Sequence, residues 1–139
     1  MYKIDLLMRQ FRYEIESYKR MLHFYSEENI LFKKRLSDFI NASDTNNTEF
    51  MEQVEYFHTY LLKEDEYIGF LQSELSDQET LLFQPADTDS AKEILNNQLK
   101  LRKELQFVED DFHKLTFDLN NYMSSFFSTG LASSNYHFM

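Results

Sequence analysis

Two short motifs in the chain place a carboxylate and a histidine three residues apart. Glu55 precedes His58, and Asp110 precedes His113. In a helix this spacing puts both side chains on one face. Carboxylate-bridged di-metal bundles use paired Glu-x-x-His motifs of this kind, together with a glutamate from each of two further helices. Glu55, His58, Asp110 and His113 are therefore candidate metal ligands.

The same residues are also explained as ordinary surface side chains. They flank the apolar stripes of the predicted helices, and the first predicted helix has no stripe glutamate that completes a ligand set. With four histidines and 24 acidic residues, such motifs arise easily by chance. The chain also lacks cysteine, a glycine-rich phosphate loop, and a serine with histidine and aspartate partners at readable spacing. The sequence therefore predicts no cofactor and no enzymatic activity, with a metal-binding bundle as an alternative.

The elements that must position these residues are long helices with regular apolar stripes. In the first, apolar residues recur with alternating gaps of four and three, the pattern of a helix that buries one narrow face against other helices. This stripe consists of Ile4, Met8, Phe11, Ile15, Tyr18, Leu22, Tyr25, Asn29, Phe32, Leu36 and Phe39. Two further stripes with the same gaps run over residues 50–75 and 94–126.

Three such helices predict an all-α fold. The expected helices lie at about residues 2–40, 48–83 and 90–127. Strands are not expected, because the chain has only two glycines and one proline for the tight turns that connect them. Short connections favour antiparallel neighbours. We expect a single domain over residues 1–127, an elongated antiparallel up-down-up three-helix bundle with coiled-coil-like seams. Its architecture resembles that of spectrin-type repeats and other helical rods.

The helix ends have recognisable signals. Thr48 or a nearby asparagine is the expected N-cap of the second helix, and Ser90 with Glu93 has the spacing of a capping box for the third. Beyond the third stripe, residues 128–139 form a C-terminal tail that loses the periodicity. Its apolar anchors for docking are Leu131, Tyr136 and Phe138.

Polar residues interrupt the stripes and need partners. Folding the chain back on itself places Tyr25 level with Glu64 and Tyr18 level with Gln98, so we expect the phenol groups to satisfy these buried side chains. The same register places basic residues of the first helix beside acidic residues of the second. The expected ion pairs are Arg9 with Glu79, Arg12 with Asp77 and Lys34 with Glu55.

Acidic charge is concentrated in the middle of the chain. The net charge is −10, and residues 43–90 contain twelve acidic side chains and one basic side chain. Such acidity argues against nucleic acid or an anionic membrane as a partner, since both bind clustered Lys and Arg. The excess is explained either by pairing with the first helix or by an outward acidic face for a basic protein. That face would comprise Glu64, Asp65, Glu66, Glu74 and Asp77.

Aromatic residues are more numerous than three stripes can use. The chain has 14 Phe and nine Tyr, and several of them lie off the stripes. An exposed apolar surface of this size indicates a docked partner or self-association. The proposed contact residues are Tyr60, Tyr67, Phe70, Phe107 and Phe117.

These observations predict a structural or protein-interaction module, a helical scaffold or adaptor that forms a homodimer. The alternative is an acidic module that binds a basic protein through the second helix. We expect a cytoplasmic protein, because no apolar run is long enough for a membrane span and no signal-peptide pattern is present.

Overall fold

A computed structural model describes residues 2–43, 47–84 and 87–134, with side chains for residues 3–43, 47–84 and 87–126. The fold is an all-α helical bundle. Its helices are α1 (Tyr2–Ala42), α2 (Thr48–Leu82) and α3 (Thr88–Ser134). None of these described helices is both long enough and apolar enough to cross a membrane.

The helix ends agree with the sequence signals only in part. Asn47 is the N-cap of α2, and its Oδ1 accepts a hydrogen bond of 2.7 Å from the backbone N–H of Phe50. The expected capping box of α3 is wrong, because the helix begins two residues before Ser90. There the side chain of Asp87 accepts the N–H of Ser90 at 2.7 Å, so an aspartate caps the helix one turn earlier.

At its far end, α3 continues through Ser134, so the first residues of the predicted 128–139 tail are helical. The docking of Leu131, Tyr136 and Phe138 concerns side chains outside the described residues. The stripe ended at Phe126 because later residues lack apolar periodicity, but a helix continues as long as its own backbone bonds form.

The apolar stripes form one core. Every predicted α2 stripe residue is buried, including the charged Glu64. Of the stripe residues of α1, all but Ile4 and Tyr18 are buried, and of those of α3, all but Tyr122 and Phe126; these four are half-buried. The core also contains Gln78 and Leu82, which continue the α2 stripe with the same gaps, and Met123, which lies four residues after Leu119 on α3.

The glycine within α2 marks no close contact between helices. A methyl group at Gly69 would meet no atom within 4 Å beyond the glycine's own stretch of helix. The position therefore tolerates a side chain, and its glycine is a local weakness of the helix instead of a packing requirement.

Contacts between side chains join all three helices around this core. Phe39 of α1 packs on Phe50 of α2 at 5.8 Å between ring centroids, and Phe50 packs on Phe126 of α3 at 5.2 Å. In the middle of the bundle, Tyr25 stacks on Phe112 at 4.5 Å. Aromatic pairs at such separations add to the free energy gained from burial alone.

The predicted register of α3 against the other two helices is displaced. The Tyr25 ring packs on Phe112, while Glu64 pairs with Asp111 of α3. Likewise, Gln98 bonds to Glu14 and Gln78 instead of Tyr18. Loop length sets the offset between helices only to about one turn, which is enough to exchange the partner of a buried polar group.

Basic residues of α1 do pair with acidic residues of α2, but not in the expected pairs. Glu79 binds Lys19 at 2.6 Å, and Lys33 pairs with Asp65. Arg12 instead donates to the backbone oxygen of Leu82 at 2.8 Å. Lysine side chains reach a full turn along the helix, so the partner depends on side-chain direction as well as register.

Candidate functional site

The four candidate metal ligands do not converge. His58 lines the groove between α1 and α2, whereas His113 lies in the groove between α1 and α3. Asp110 is exposed and accepts a hydrogen bond of 3.0 Å from Gln106. Among the described residues, no group of three or more His, Asp or Glu side chains is placed to hold a metal ion. Spacing puts Glu55 with His58 on one face, but the orientation of each helix about its axis points the two histidines into different grooves.

The predicted acidic face is divided between the core and the surface. Glu64 is only 4% exposed, which corrects its assignment to an outward face. Asp65 is half-buried and accepts bonds from Asn29 and Lys33 of α1. Glu74 lies 4.0 Å from Lys100 of α3.

Glu66 and Asp77 are exposed, as an outward face requires. The acidic excess of α2 is therefore partly neutralised by α1 and partly left on the surface.

The predicted aromatic contact residues lie on two sides of the bundle. Tyr60, Tyr67 and Phe107 line a groove between α2 and α3, and Phe70 is 6.4 Å from the Tyr67 ring. Phe117 lies in a separate groove between α1 and α3. Two distinct aromatic surfaces are thus available, and they face different directions.

The groove between α2 and α3 is the larger of the two, with a volume of about 690 Å³. We call it the aromatic groove. Its aromatic walls are Tyr56, Tyr60, Tyr67 and Phe107. Tyr56 meets Tyr60 edge-on at 6.0 Å, and Tyr67 meets Phe107 edge-on at 5.8 Å. Tyr56 and Phe107 are more than half exposed, so apolar ring surface faces solvent along the groove.

A pair of carboxyl groups forms the floor of the aromatic groove. Glu64 of α2 hydrogen-bonds to Asp111 of α3, and burial together with the Asp111 charge raises the pKa of Glu64 to about 8. Tyr60 donates its hydroxyl to Asp111 Oδ1 at 2.7 Å. Burial and this bond to a carboxylate also raise the pKa of Tyr60. Glu64 is therefore largely protonated at neutral pH.

The carboxyl pair is incompletely satisfied. Glu64 Oε2 is buried, and no N–H or O–H donor among the described residues reaches it. A buried oxygen without a donor lowers stability by about 1–3 kcal/mol. Most buried polar atoms in folded proteins have a partner. Glu64 Oε2 is one of four buried side-chain atoms without one among the described residues, and it belongs to a residue that lines the aromatic groove.

The rim of the aromatic groove is acidic. Glu52 and Glu55 lie at the rim, and Lys63 is the basic residue that lines it. Burial raises the pKa of the Tyr67 hydroxyl. The nearby carboxyl groups raise it further, and they come from both helices: Glu104, Glu64, Glu74 and Asp111. The groove thus combines apolar ring surface with negative potential.

The sequence identified Glu64 as a charged residue within a stripe but not its partner Asp111. Asp111 lies four residues after Phe107, so both occupy one face of α3 and reach the same groove. A register displaced by one turn would have brought Asp111 opposite Glu64. Tyr56 is one of the aromatic residues that lie off the α2 stripe, and the sequence offers no further reason to place it in this groove.

Comparisons with known proteins assign no role to the aromatic groove. The groove combines exposed rings, the carboxyl groups of Glu64 and Asp111, and a buried oxygen that no donor among the described residues reaches. No protein-family model, no curated protein and no solved structure matches this chain.

Proposed function

We propose that the chain is a helical interaction module, without catalytic activity, that binds a segment of a basic partner protein in the aromatic groove. The observation behind this proposal is an exposed wall of Tyr and Phe rings over the carboxyl groups of Glu64 and Asp111. Exposed aromatic surface favours a partner, because burying it releases about 25 cal/mol per Å². The acidic rim favours a basic segment and disfavours nucleic acid or an anionic membrane.

The proposed architecture is an elongated antiparallel up-down-up bundle with coiled-coil-like seams. Two kinds of contact between α1 and α2 support it, one near the connection (Phe39 with Phe50) and one near the opposite ends (Arg12 with Leu82). Helices of 35 to 47 residues extend about 50–70 Å at about 1.5 Å per residue. Such a rod presents its side grooves along much of its length, which suits a scaffold or adaptor.

The groove proposal is tested by site-specific cross-linking. A photo-reactive benzoylphenylalanine at Phe107 should cross-link a partner, defined as a protein other than a second copy of this chain, in the cell of origin, whereas the same group at Phe24 should not cross-link such a partner. Both positions are exposed phenylalanines, but Phe24 lines the groove between α1 and α3. A partner captured equally from both positions, or from Phe24 alone, would contradict binding in the aromatic groove.

A second proposal is self-association through the groove between α1 and α3. Phe24 is 55% exposed and Phe117 is 64% exposed, and both line this groove of about 430 Å³. Glu28 and His113 are the titratable side chains at its rim besides the phenol of Tyr25. A surface with so little like charge can meet a copy of itself across a two-fold axis.

Sedimentation equilibrium distinguishes the two grooves. At tens of micromolar, we expect a mass near twice the 16.9 kDa of the chain. Phe117→Glu should return the mass to that of a monomer, because a charge would be buried in the dimer. The matched change Phe107→Glu should leave the dimer intact. A monomeric wild-type protein would exclude the dimer, and a dimer disrupted only by Phe107→Glu would place it in the aromatic groove.

A further inference from the structure

The floor of the aromatic groove has acceptors in excess of donors. Glu64 is more than nine-tenths buried and lines the groove, yet its Oε2 has no donor within the described residues. Asp111 is half-buried, so its carboxylate is partly accessible from the groove. A ligand that supplies N–H donors and positive charge would satisfy both groups.

We propose that the floor of the aromatic groove is a binding site for a single cationic alkyl side chain, a lysine or an arginine, from the basic segment of the partner. The inference depends on the function proposed above and specifies the chemistry of its ligand. The cationic head pairs with Asp111 and supplies the missing donor to Glu64, while the alkyl stem lies between the rings of Tyr60, Tyr67 and Phe107. Cations bind favourably against aromatic faces within about 6 Å.

Other ligand classes fit the aromatic groove less well. An anion would meet Glu52, Glu55 and Asp111 and would be repelled. A purely apolar side chain would cover the polar oxygens of Asp111 without replacing their lost hydration, which is unfavourable. A cation on an alkyl stem matches both the charge of the floor and the ring surface of the walls.

Lys63 is the internal competitor for this site. It lines the groove and is next to Glu64 in the sequence, but its side chain is exposed, and neither carboxyl of the floor is its ion-pair partner. Adjacent residues of a helix point about 100° apart, so Lys63 cannot follow Glu64 into the core. The cation therefore has to come from another segment.

Binding of a cation should release a proton. The titratable groups that face Glu64 are Asp111 of α3 and Tyr60 and Tyr67 of α2, and no charged group of α1 influences its pKa. The proton of Glu64 reduces the negative charge available to a cation. A bound cation favours the doubly ionised pair, so affinity should increase with pH until Glu64 is ionised without ligand.

The test is an NMR titration of the whole chain with small probes. n-Butylammonium and methylguanidinium represent the heads of lysine and arginine, and n-butanol is the neutral control of similar shape. We expect both cations, or one of them, to shift the ring resonances of Tyr60, Tyr67 and Phe107 with an affinity at least about threefold above that of butanol. The cation with the higher affinity identifies the residue type.

Variants separate the ion pair from ring contact. Asp111→Asn should weaken cation binding by about tenfold, the effect of one charge-assisted bond, and leave butanol unaffected. Glu64→Gln should abolish the increase in affinity between pH 6 and 8, while Glu66→Gln, an exposed neighbour on α2, should retain it. Lys63→Gln should strengthen binding slightly or leave it unchanged.

Two outcomes would overturn the inference: equal shifts with butanol and the cations, or cation binding that Asp111→Asn does not weaken. In either case a partner cross-linked through Phe107 would still support binding in the aromatic groove, with an apolar segment as its ligand. Absence of that cross-link together with specific cation binding would instead retain the site and reject the protein partner. The failures of the two proposals are therefore distinguishable.

Discussion

Replacing Glu64 by glutamine is expected to stabilise the protein, and more strongly as the pH rises from 5 to 8. The carboxyl of Glu64 has its pKa raised from 4.5 to about 8 in the folded chain by burial and by Asp111. Between these two values the folded state holds a proton that the unfolded state has released. Stability is therefore greatest below pH 4.5 and falls with rising pH until Glu64 ionises in the folded state as well.

The size of the effect follows from the width of this pH window. One unit of pKa difference corresponds to about 1.4 kcal/mol, so the free energy of unfolding should decrease by about 2–4 kcal/mol between pH 5 and pH 8 in the wild-type protein relative to Glu64→Gln. Glutamine keeps the shape of the side chain, remains neutral and can donate its amide to the Asp111 carboxylate. Urea unfolding followed by circular dichroism at several pH values measures this difference.

Glu66→Gln is the matched control, because it removes an exposed glutamate two residues away on the same helix. Its unfolding curves should parallel those of the wild-type protein at every pH. Parallel pH profiles for wild type and Glu64→Gln would mean that Glu64 ionises normally in the folded chain. The buried carboxyl pair would then not exist in solution, and the cation site built on it would lose its basis.

A residue that lowers stability at neutral pH requires a reason for its presence. Proteins place such residues where activity needs a group that the fold alone would not favour. Glu64 is the charged residue in the α2 stripe, and it lies under the exposed rings of the aromatic groove. Glu64→Gln is thus expected to change two quantities. It should increase the free energy of unfolding at neutral pH, and it should abolish the pH dependence of cation binding.

The periodicity of the sequence was sufficient to predict the helices and their buried faces. A stripe such as Phe50, Val54, Phe57 and Leu61 can bury only one side of a helix, whatever lies opposite. The periodicity could not determine which residues of different helices meet across the core. Glu64 was expected beside Tyr25 and lies beside Asp111, because displacement by one turn leaves every stripe buried and changes only the polar partners.

The candidate site was predictable only in its ingredients. Tyr60, Tyr67 and Phe107 were identified as surplus aromatic residues, and they do share one groove. His58 and His113 were candidate ligands of one metal site, but they lie in different grooves. A groove position depends on how each helix is rotated about its axis, and residues that flank a stripe can face either neighbour.

The second large effect is expected from two buried glutamines that connect α2 with α3. Gln78 Nε2 donates to Gln98 Oε1 at 2.9 Å and to the backbone oxygen of Ile94 at 2.9 Å. Gln98 in turn donates to Glu14 of α1 at 2.9 Å, and Arg102 binds both oxygens of Glu14 at 2.9 Å. One polar network therefore links all three helices inside the apolar core.

Gln78→Leu and Gln98→Leu should each lower the free energy of unfolding by about 1–3 kcal/mol. Gln78→Leu leaves the buried Gln98 Oε1 without its donor, and Gln98→Leu leaves one N–H of Gln78 without its acceptor. The double variant should recover most of this loss, since no unpaired amide remains. Urea unfolding of the four proteins gives the coupling energy. Gln72→Leu, an exposed change on α2, is the control and should have little effect. Additive losses would show that the two amides do not depend on each other.

The double variant also tests what sets the register of the helices. The apolar stripes alone permit displacement by a turn, whereas a buried amide pair is satisfied in only one alignment, and buried polar groups are known to fix register at some expense of stability. We expect the wild-type protein to give one set of amide resonances and the Gln78→Leu/Gln98→Leu protein to give more than one. A single set in the double variant would assign the register to the shapes of the apolar side chains, or to the remaining pair of Glu14 and Arg102. In that case Arg102→Leu added to the double variant tests the ion pair as the cause, because leucine cannot pair with Glu14 but can still contact the Phe11 ring that Arg102 covers.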